Sequence, residues 1–310
     1  MLRPLRRLAF GIRPGSARLT GTRGGFDTFP YRMVLPVVAM EVLFVAVPLA
    51  TGVYYSLHRV DLLRLGSFIG LENYWRVVAS PAVRNSLFVT IIFTFFALFF
   101  TFLAGLGLAL LLERDTRLHI FGRAVVLVPY TVSMLVGSML LKWVFSRDAG
   151  LIDLVLAPLG FRDVSILADP TNAMAALVFN AVWRDSAFSM ILLMAGLKSV
   201  PLELYAASRV DGARSRYRFR RITLPLLRIP ILITLIRLLV HFVNVLTFAL
   251  VLTGGGPNDA TNTLGLELYH IGFRDFRFGQ ANALAFLVFL FNVILILIVV
   301  HAFREKRRRP

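Results

Sequence analysis

The sequence predicts an all-α integral membrane protein with six transmembrane helices. Of its 310 residues, 57% are apolar and only 16% are charged, and its mean hydropathy is +0.74. A soluble domain does not contain so large an apolar fraction. Several uncharged apolar runs reach the roughly 20 residues that cross about 30 Å of hydrocarbon as a helix. Continuous runs such as 88–112 also exclude the short alternating strands of a membrane barrel.

Six apolar runs supply the predicted spans. They are Met33–Leu57, Ser86–Leu112, Ile120–Phe145, Thr171–Leu197, Ile229–Leu252 and Ala281–Phe303. We expect residues 33–303 to form one transmembrane domain between a basic N-terminal segment, 1–32, and a basic tail, 304–310. The first run is too long for the apolar core of a signal peptide, so we expect it to remain as an uncleaved span. Gly105 and Gly107 in the second run suit close helix packing.

The basic residues predict the orientation of these spans. Of the 34 Lys and Arg residues, 23 lie in or beside the two ends and alternate loops, and 9 lie in the other loops. Because positive charge concentrates on the cytoplasmic side, both termini and the loop 198–228 are predicted to be cytoplasmic. The same charge suits contact with anionic lipid. A nucleic-acid interface would need a basic face with interleaved aromatic residues, and the sequence has none.

The residue types argue against catalysis by this chain. The absence of cysteine excludes disulfide scaffolds, Cys-ligated zinc, iron–sulfur clusters and thiol catalysis. The five histidines are scattered without the spacing of metal ligands, and no phosphate-binding loop is present. We therefore predict no metal, no cofactor and no ATPase site. The competing classes are a membrane-embedded enzyme and a proton-coupled carrier, which would need a catalytic pair or several acidic residues at one membrane level.

The loop 198–228 has the pattern of two short helices joined by a tight turn. Pro201 suits a first helical turn, and residues 202–210 are good helix formers. Gly212 permits a positive φ at which the chain turns sharply, and Pro225 begins or bends the next span. Small side chains leave a low surface that another protein can approach: Ala206, Ala207 and Ala213. The arginines of the loop equally suit lipid phosphates.

This loop resembles the EAA loop of ATP-binding-cassette importer permeases, in which EAA, two residues and DGA precede a Phe and the run I-T-L-P-L. The matching positions are Ala207, Asp211, Gly212, Ala213, Phe219, Ile222, Thr223, Leu224, Pro225 and Leu226. Ala206 stands where the family has Glu, and Ser208 where it has Ala. The resemblance implies that contact with an ATPase involves Ala206, Ala207, Asp211, Gly212, Ala213 and Phe219.

Two further motifs narrow the family. Residues 68–74, FIGLENY, are similar to the F-x-G-L-x-N-Y stretch that follows the first span of carbohydrate-importer permeases. Residues 252–257, LTGGGP, with Thr261 and Thr263 soon after, are similar to the stretch that follows their fifth span. Together with the loop, these motifs identify the sequence as a member of the MalF/UgpA-like permeases.

The resemblance implies a type I ATP-binding-cassette importer permease fold in a bacterial inner membrane. The implied partners are a second, MalG-like permease, two ATPase subunits that bind the ATP, and an extracytoplasmic solute-binding protein. The implied solute is a sugar or a sugar derivative. The alternative is a phosphorylated polyol or another anionic solute.

Polar side chains within spans are costly, so they are functional candidates. Asn180, Arg184 and Phe188 share one face of the fourth span, and Arg237, His241 and Asn244 share one face of the fifth. The resemblance implies that substrate contacts come from these two helices. The candidates are Asn180, Arg184, Asp185, Phe188, His241 and Asn244. Alternatively, Arg184 pairs with Asp185 or with the partner permease, and Arg237 extends to the inner surface.

Overall fold

The computed structural model describes residues 29–62, 64–147, 150–156, 159 and 165–305. Most of the two basic segments predicted from the sequence, 1–32 and 304–310, lies outside these residues. The described chain consists mainly of helices, with one two-stranded antiparallel hairpin.

The elements follow one another with short connections. The helices are α1 (Phe29–Glu41), α2 (Val47–Ser56), α3 (Glu72–Ala79), α4 (Pro81–Leu111), α5 (Arg117–Thr131), α6 (Met134–Val144), α7 (Leu151–Leu156), α8 (Pro170–Lys198), α9 (Leu202–Val210), α10 (Ser215–Arg218), α11 (Leu224–Leu226), α12 (Arg228–Val243), α13 (Thr247–Leu252), α14 (Leu264–Tyr269) and α15 (Phe278–Glu305). The strands of the hairpin are β1 (His58–Asp61) and β2 (Arg64–Phe68). Short π or 3₁₀ turns occupy Val42–Ala46, Ile166–Ala168, Phe219–Thr223 and His270–Arg274.

The chain divides into two units, residues 1–49 and 50–310. The described part of the first unit is α1, the π turn that follows it and the first residues of α2. Pro36 lies inside α1 without ending it. This apolar helical run coincides with the first predicted span.

Among the described residues, four helices are long and apolar enough to cross a membrane: Arg32–Ser56, Pro81–Leu111, Pro170–Lys198 and Phe278–Phe303. Two bent pairs bring the number of spans to six if each pair is one span. The first pair is α5 and α6, bent by 95°, and the second is the run Ser215–Leu226 with α12, bent by 66°. The predicted all-α membrane fold is therefore confirmed, but two of its spans are not straight.

The third predicted span breaks at Val132 and Ser133, which have extended backbone angles. Pro129 lies inside the last turn of α5 and cannot donate a backbone hydrogen bond. The Thr131 hydroxyl donates to the Val128 carbonyl at 2.8 Å, which competes with continuation of the helix. A continuous helix over this predicted span is wrong for these reasons.

The fifth predicted span is interrupted at residues 244–246, between α12 and α13. Asn244 follows the last residue of α12, and its Nδ2 donates to the Val240 carbonyl at 2.7 Å. An amide side chain that binds its own helix in this way favours a helix end. The predicted single helix 229–252 is therefore two helices.

The two longest central spans, α4 and α8, pack against each other along a stripe of small side chains. The buried small and polar residues of α4 are Ser86, Thr90, Thr94, Ala97, Thr101, Gly105 and Ala109. Of these, Thr90 also binds α14, whose Leu264 N–H donates to its hydroxyl at 2.8 Å. A Cβ atom at Gly105 would overlap the Ser189 side chain, so the two helices approach closely at this glycine. The predicted packing role of Gly105 is confirmed. No atom of the described chain would lie within 4 Å of a Cβ atom at Gly107, so its packing role stays a prediction.

Each of the two family motifs in the predicted outer loops builds a local structure. In the first, Asn73 is buried, and its Nδ2 donates to the carbonyls of Ser56 and His58, both at 2.8 Å. In the second, the Thr261 hydroxyl donates to the Gly256 carbonyl at 2.7 Å. These side chains fix the hairpin and the loop after α13, so the motifs have a structural basis.

Candidate substrate path and ATPase-contact loop

Helices α8 and α12 bring two basic side chains to one buried carboxylate. Asp185 on α8 is only 1% exposed, and Arg237 on α12 donates from Nη1 to its Oδ1 at 3.1 Å. The Nε2 of His241, one turn further along α12, lies 3.3 Å from Oδ2. This second contact is not aligned as a hydrogen bond, since both atoms are without such a partner among the described residues. The ion pair with Arg237 is therefore the stronger of the two contacts.

Close packing between α8 and α12 makes this pairing possible. A Cβ atom at Gly196 would lie 2.5 Å from Cγ of Pro230. The two helices are therefore in close contact near the end of α8 and the start of α12. Thr234 and Leu238 of α12 are fully buried. Arg237 and His241 are four residues apart, hence on one face of α12, and this face meets Asp185.

Two aromatic rings complete the group. The guanidinium carbon of Arg237 lies 4.0 Å from the centroid of the Phe188 ring, a cation–π contact. The Phe188 and Tyr130 rings are 5.7 Å apart, and the Tyr130 hydroxyl is 3.5 Å from Nη2 of Arg237. We call these residues the Asp185 cluster: Tyr130, Asp185, Phe188, Arg237 and His241.

Arg184 does not pair with its neighbour Asp185. Its Nη1 donates to the Val132 carbonyl at 2.9 Å and lies 3.2 Å and 3.4 Å from the carbonyls of Tyr130 and Pro129. The alternative pairing of Arg184 with Asp185 is therefore wrong, whereas its pairing with the partner permease stays a prediction. Adjacent residues of a helix point about 100° apart, which directs Arg184 to the bend of the third span and Asp185 to α12.

The two candidate amides bind neighbouring helices. Asn180 is buried and donates from Nδ2 to the Ser138 hydroxyl on α6 at 2.9 Å. Asn244 forms a pair with Asn292 on α15, in which the Nδ2–Oδ1 distances are 3.3 and 3.4 Å. Thus Asp185, Phe188 and His241 come together, whereas Asn180 and Asn244 use their donors to connect helices.

Sequence reasoning misses two members of the cluster. It places Arg237 near the inner surface, although the four-residue spacing from His241 puts both on one face. Tyr130 follows Pro129 in an apolar run, and the sequence Pro-Tyr-Thr-Val-Ser contains the signal of a helix break. That signal predicts a bend, but no sequence signal predicts which helix the bend faces.

The loop 198–228 contains the predicted turn at Gly212. Helix α9 ends at Val210, and Gly212 has a φ of +72°, in the region that favours glycine. The Ala213 N–H donates to the Ser208 carbonyl at 2.9 Å, and the Gly212 N–H donates to the Arg209 carbonyl at 3.1 Å. This pair of bonds is a Schellman motif, which satisfies carbonyls at the end of the helix. The turn predicted from the sequence is confirmed.

The candidate contact residues of this loop are accessible. Ala206, Ala207, Asp211 and Gly212 are exposed, and Ala213 and Phe219 are half-buried. A Cβ atom at Gly212 would meet nothing within 4 Å. The Tyr205 hydroxyl lies 2.9 Å from the Thr223 hydroxyl, which ties α9 to the segment before α12. The contact between Tyr205 and Thr223 thus fixes the shape of the loop, while its small side chains remain accessible to a partner.

An ion-pair group secures the start of this loop. The Lys198 ammonium at the end of α8 lies 2.8 Å from Oδ1 of Asp115, and Nη1 of Arg123 lies 2.9 Å from the same oxygen. Hydrogen bonds from Lys198 and then Arg123 lower the pKa of the Asp115 carboxyl, despite its exposure. Arg123 also donates to the carbonyls of Leu112 and Arg114, at 2.8 and 2.7 Å. The connection between α4 and α5 is thereby fastened to the end of α8.

Known proteins resemble this chain over most of its length. Residues 102–309 match the family described as "Binding-protein-dependent transport system inner membrane component". The trehalose/maltose transport system permease protein MalF of Thermococcus litoralis is 33% identical over 279 residues, which are 89% of this chain and 94% of the relative.

Two further relatives are from Agrobacterium fabrum. The sn-glycerol-3-phosphate transport system permease protein UgpA is 33% identical, with 90% of this chain and 95% of the relative covered. The sulfoquinovosyl glycerol transport system permease protein SmoG is 29% identical, with 88% and 90% covered.

A solved structure has the same fold. A chain of a bacterial ATP-binding-cassette transporter that imports the acidic polysaccharide alginate aligns with a TM-score of 0.80 over 90% of this chain and 96% of its own. A second alginate transporter structure, in complex with an alginate-bound periplasmic protein, aligns with a TM-score of 0.77 over 91% and 95%. At 21% and 22% identity, these likenesses support the fold alone.

Proposed function

Because the chain belongs to the family of binding-protein-dependent transport system inner membrane components, we propose that it imports a sugar or a sugar derivative as a permease of an ATP-binding-cassette transporter. The observation that carries the solute class is the Asp185 cluster, where aromatic rings and hydrogen-bonding groups lie together between two spans. Hydroxyl groups of a sugar bind such donors and acceptors, and its C–H faces pack on aromatic rings.

The charge balance of the cluster favours an uncharged solute. Arg237 is already paired with Asp185, so the two formal charges cancel. An anionic solute would compete with Asp185 for this guanidinium, and weakening a buried carboxylate's ion pair is costly. The names of two relatives, which refer to a phosphate ester and a sulfonated glycoside, keep the anionic solute as the second candidate.

The proposed substrate path runs along the facing sides of α8 and α12. Asp185, Phe188 and His241, with the added Arg237 and Tyr130, form its polar and aromatic lining. The remaining candidates from the sequence flank the cluster: Asn180, Arg184 and Asn244. Both interrupted spans lie beside it, and broken helices are a frequent feature of transporter binding sites.

The proposed partners are a second permease, two ATPase subunits and a solute-binding protein outside. The exposed turn at Gly212 supports contact with an ATPase, since it presents small side chains on a braced loop. ATP is bound by the ATPase partners, and this chain contributes no catalytic group. The protein is a multi-pass component of a bacterial inner membrane, with the loop 198–228 and both termini in the cytoplasm.

Uptake by the assembled transporter tests the solute class. The complex is reconstituted in vesicles with its binding protein and ATP, and uptake of labelled trehalose, maltose, sulfoquinovosyl glycerol and sn-glycerol 3-phosphate is compared. We expect uptake of a neutral sugar, abolished when the ATPase partner is inactivated. Uptake of only the sulfonate or the phosphate ester would favour the anionic alternative. Uptake of none of the four would contradict this solute class.

Cysteine labelling tests the orientation, and the lack of native cysteine makes it selective for the introduced thiol. A cysteine at residue 256 should react with an impermeant maleimide in intact cells. A cysteine at residue 306 should react only after permeabilisation. The reverse pattern would contradict the six-span orientation.

A further inference from the structure

The bend between α5 and α6 leaves backbone carbonyls that need donors. The last carbonyls of a helix have no partner within that helix. Within hydrocarbon there is no water to supply hydrogen bonds, so non-helical backbone is tolerated only where the protein satisfies it. The 95° bend at residues 132–133 lies inside the predicted third span. A donor must therefore come from another element.

Arg184 on α8 is that donor. Its Nη1 lies 2.9, 3.2 and 3.4 Å from the carbonyls of Val132, Tyr130 and Pro129. The positive charge also lies at the C-terminal end of α5, where the helix dipole is negative. The Nη1 of this cation thus has its partners within the protein, whereas its Nε is buried without a hydrogen-bond partner among the described residues.

The same contact reaches the Asp185 cluster through Tyr130. The guanidinium carbon of Arg184 lies 5.2 Å from the centroid of the Tyr130 ring. On the cluster side, this ring is 5.7 Å from Phe188, and its hydroxyl is 3.5 Å from Nη2 of Arg237. Tyr130 belongs to the last turn of α5. Whatever holds that turn therefore sets where the ring stands.

We infer that Arg184 is a positioning residue, which holds the bend of the third span and through it places Tyr130 against the Asp185 cluster. It does not bind the solute directly. Its effect on uptake rests on the proposed function, but its hold on the bend does not. The two consequences can therefore be measured separately.

The experiment places one cysteine at the bend of the assembled transporter. Val132 is half-buried, so the maleimide labelling of Val132→Cys can rise when the bend loosens. Labelling is measured on this chain in the absence of any solute. Each further substitution is added to Val132→Cys, which serves as the parent. Arg184→Met removes the guanidinium donors while keeping an unbranched side chain, and we expect its labelling to be at least five-fold faster than that of the parent. Arg184→Lys keeps a charge and three donors, and we expect labelling within two-fold of the parent, with most maltose or trehalose uptake retained.

Arg237→Met is the matched control. It removes the cation of the cluster without touching the carbonyls, so labelling of the cysteine introduced at residue 132 should stay within two-fold of the parent while uptake falls. If Arg184 is a positioning residue, both Met variants lose uptake, but only Arg184→Met speeds the labelling at residue 132.

Unchanged labelling in Arg184→Met would overturn the inference whatever the solute is. If that variant fails to assemble, Arg184→Lys decides: assembly with parental labelling supports the inference. Two results for Arg184→Lys would contradict a positioning role. One is failure of this variant to assemble, and the other is loss of uptake while the cysteine at residue 132 is labelled at the parental rate. Failure of the proposed function would instead appear as a parent that transports none of the four solutes.

Discussion

The Asp185 cluster and the turn at Gly212 are stabilised in different ways. The cluster holds a buried carboxylate against two half-buried basic side chains between spans, and each position depends on a partner from another helix. The turn is exposed, and its geometry depends on two hydrogen bonds within six residues and on one positive φ. The cluster is therefore sensitive to side-chain chemistry. The turn is sensitive to backbone conformation and to added bulk.

The largest expected effect is at the turn. Gly212→Pro fixes φ near −65° where the structure has +72°, so it should abolish uptake. Gly212→Val adds a β-branched side chain at a left-handed position and should have nearly the same effect. The chain should still reach the membrane, because nothing in it lies within 4 Å of a Cβ at this position. Co-purification with the ATPase and uptake are the measurements.

Gly212→Ala and Gly107→Ala sharpen this prediction. A left-handed Ala costs about 1–2 kcal/mol, so Gly212→Ala should reduce uptake only in part if backbone strain is the sole cause. Complete loss with Ala would show that a partner also excludes the methyl group. Gly107 has open space and a helical backbone, so its Ala variant should transport normally. Full uptake by Gly212→Pro would show that transport does not require this turn.

The second expected effect is at the cluster. Asp185→Asn leaves Arg237 without its counter-charge, and removing one partner of a buried ion pair costs about 3–5 kcal/mol. We expect uptake to fall at least ten-fold and the purified transporter to unfold at a lower temperature. Arg237→Met should act similarly, because it leaves Asp185 unpaired.

The double variant tests whether the two residues act as a pair. Asp185→Asn with Arg237→Met leaves no buried charge unpaired, so it should be more stable than the sum of the single effects predicts. Additive losses in thermal stability would contradict the pairing. Recovery of stability without recovery of uptake would place the polar groups themselves in the transport path.

The two regions also differ in how far the sequence predicts them. Gly212 and the flanking helix formers predict the turn, since a Schellman motif depends only on neighbouring residues. The family resemblance of the loop is confirmed by the match over 102–309. The spans follow from apolar run length, but mean hydropathy does not register where a helix ends. The break at residues 132–133 has a signal only in the local sequence after Pro129, and the interruption at residues 244–246 does not follow from the pattern.

The partner of Asp185 is not predictable from neighbouring residues. Arg184 is adjacent in sequence, and Arg237 is 52 residues away. The choice between them depends on the rotation of α8 against α12, which close contacts such as Gly196 with Pro230 set. Tyr130 joins the cluster only because the third span bends. Tertiary packing, which the sequence pattern does not contain, therefore decides the site.

The smallest expected effect is at Asp115, an exposed carboxylate that serves as the matched control for Asp185. Its contacts with Lys198 and Arg123 lower its pKa. Any stability that they contribute is therefore present above the ordinary carboxyl pKa, near 4, and is lost only as the pH falls below that value. Uptake by the parent and by Asp115→Asn should accordingly show the same pH profile between about pH 6 and 8.

Because exposed ion pairs contribute little, we expect Asp115→Asn to change uptake less than two-fold. A loss as large as that of Asp185→Asn would mean that the fastening of α8 to the connection between α4 and α5 transmits movement of the loop 198–228. The exposed side of the molecule would then depend on charge chemistry as strongly as the buried cluster does.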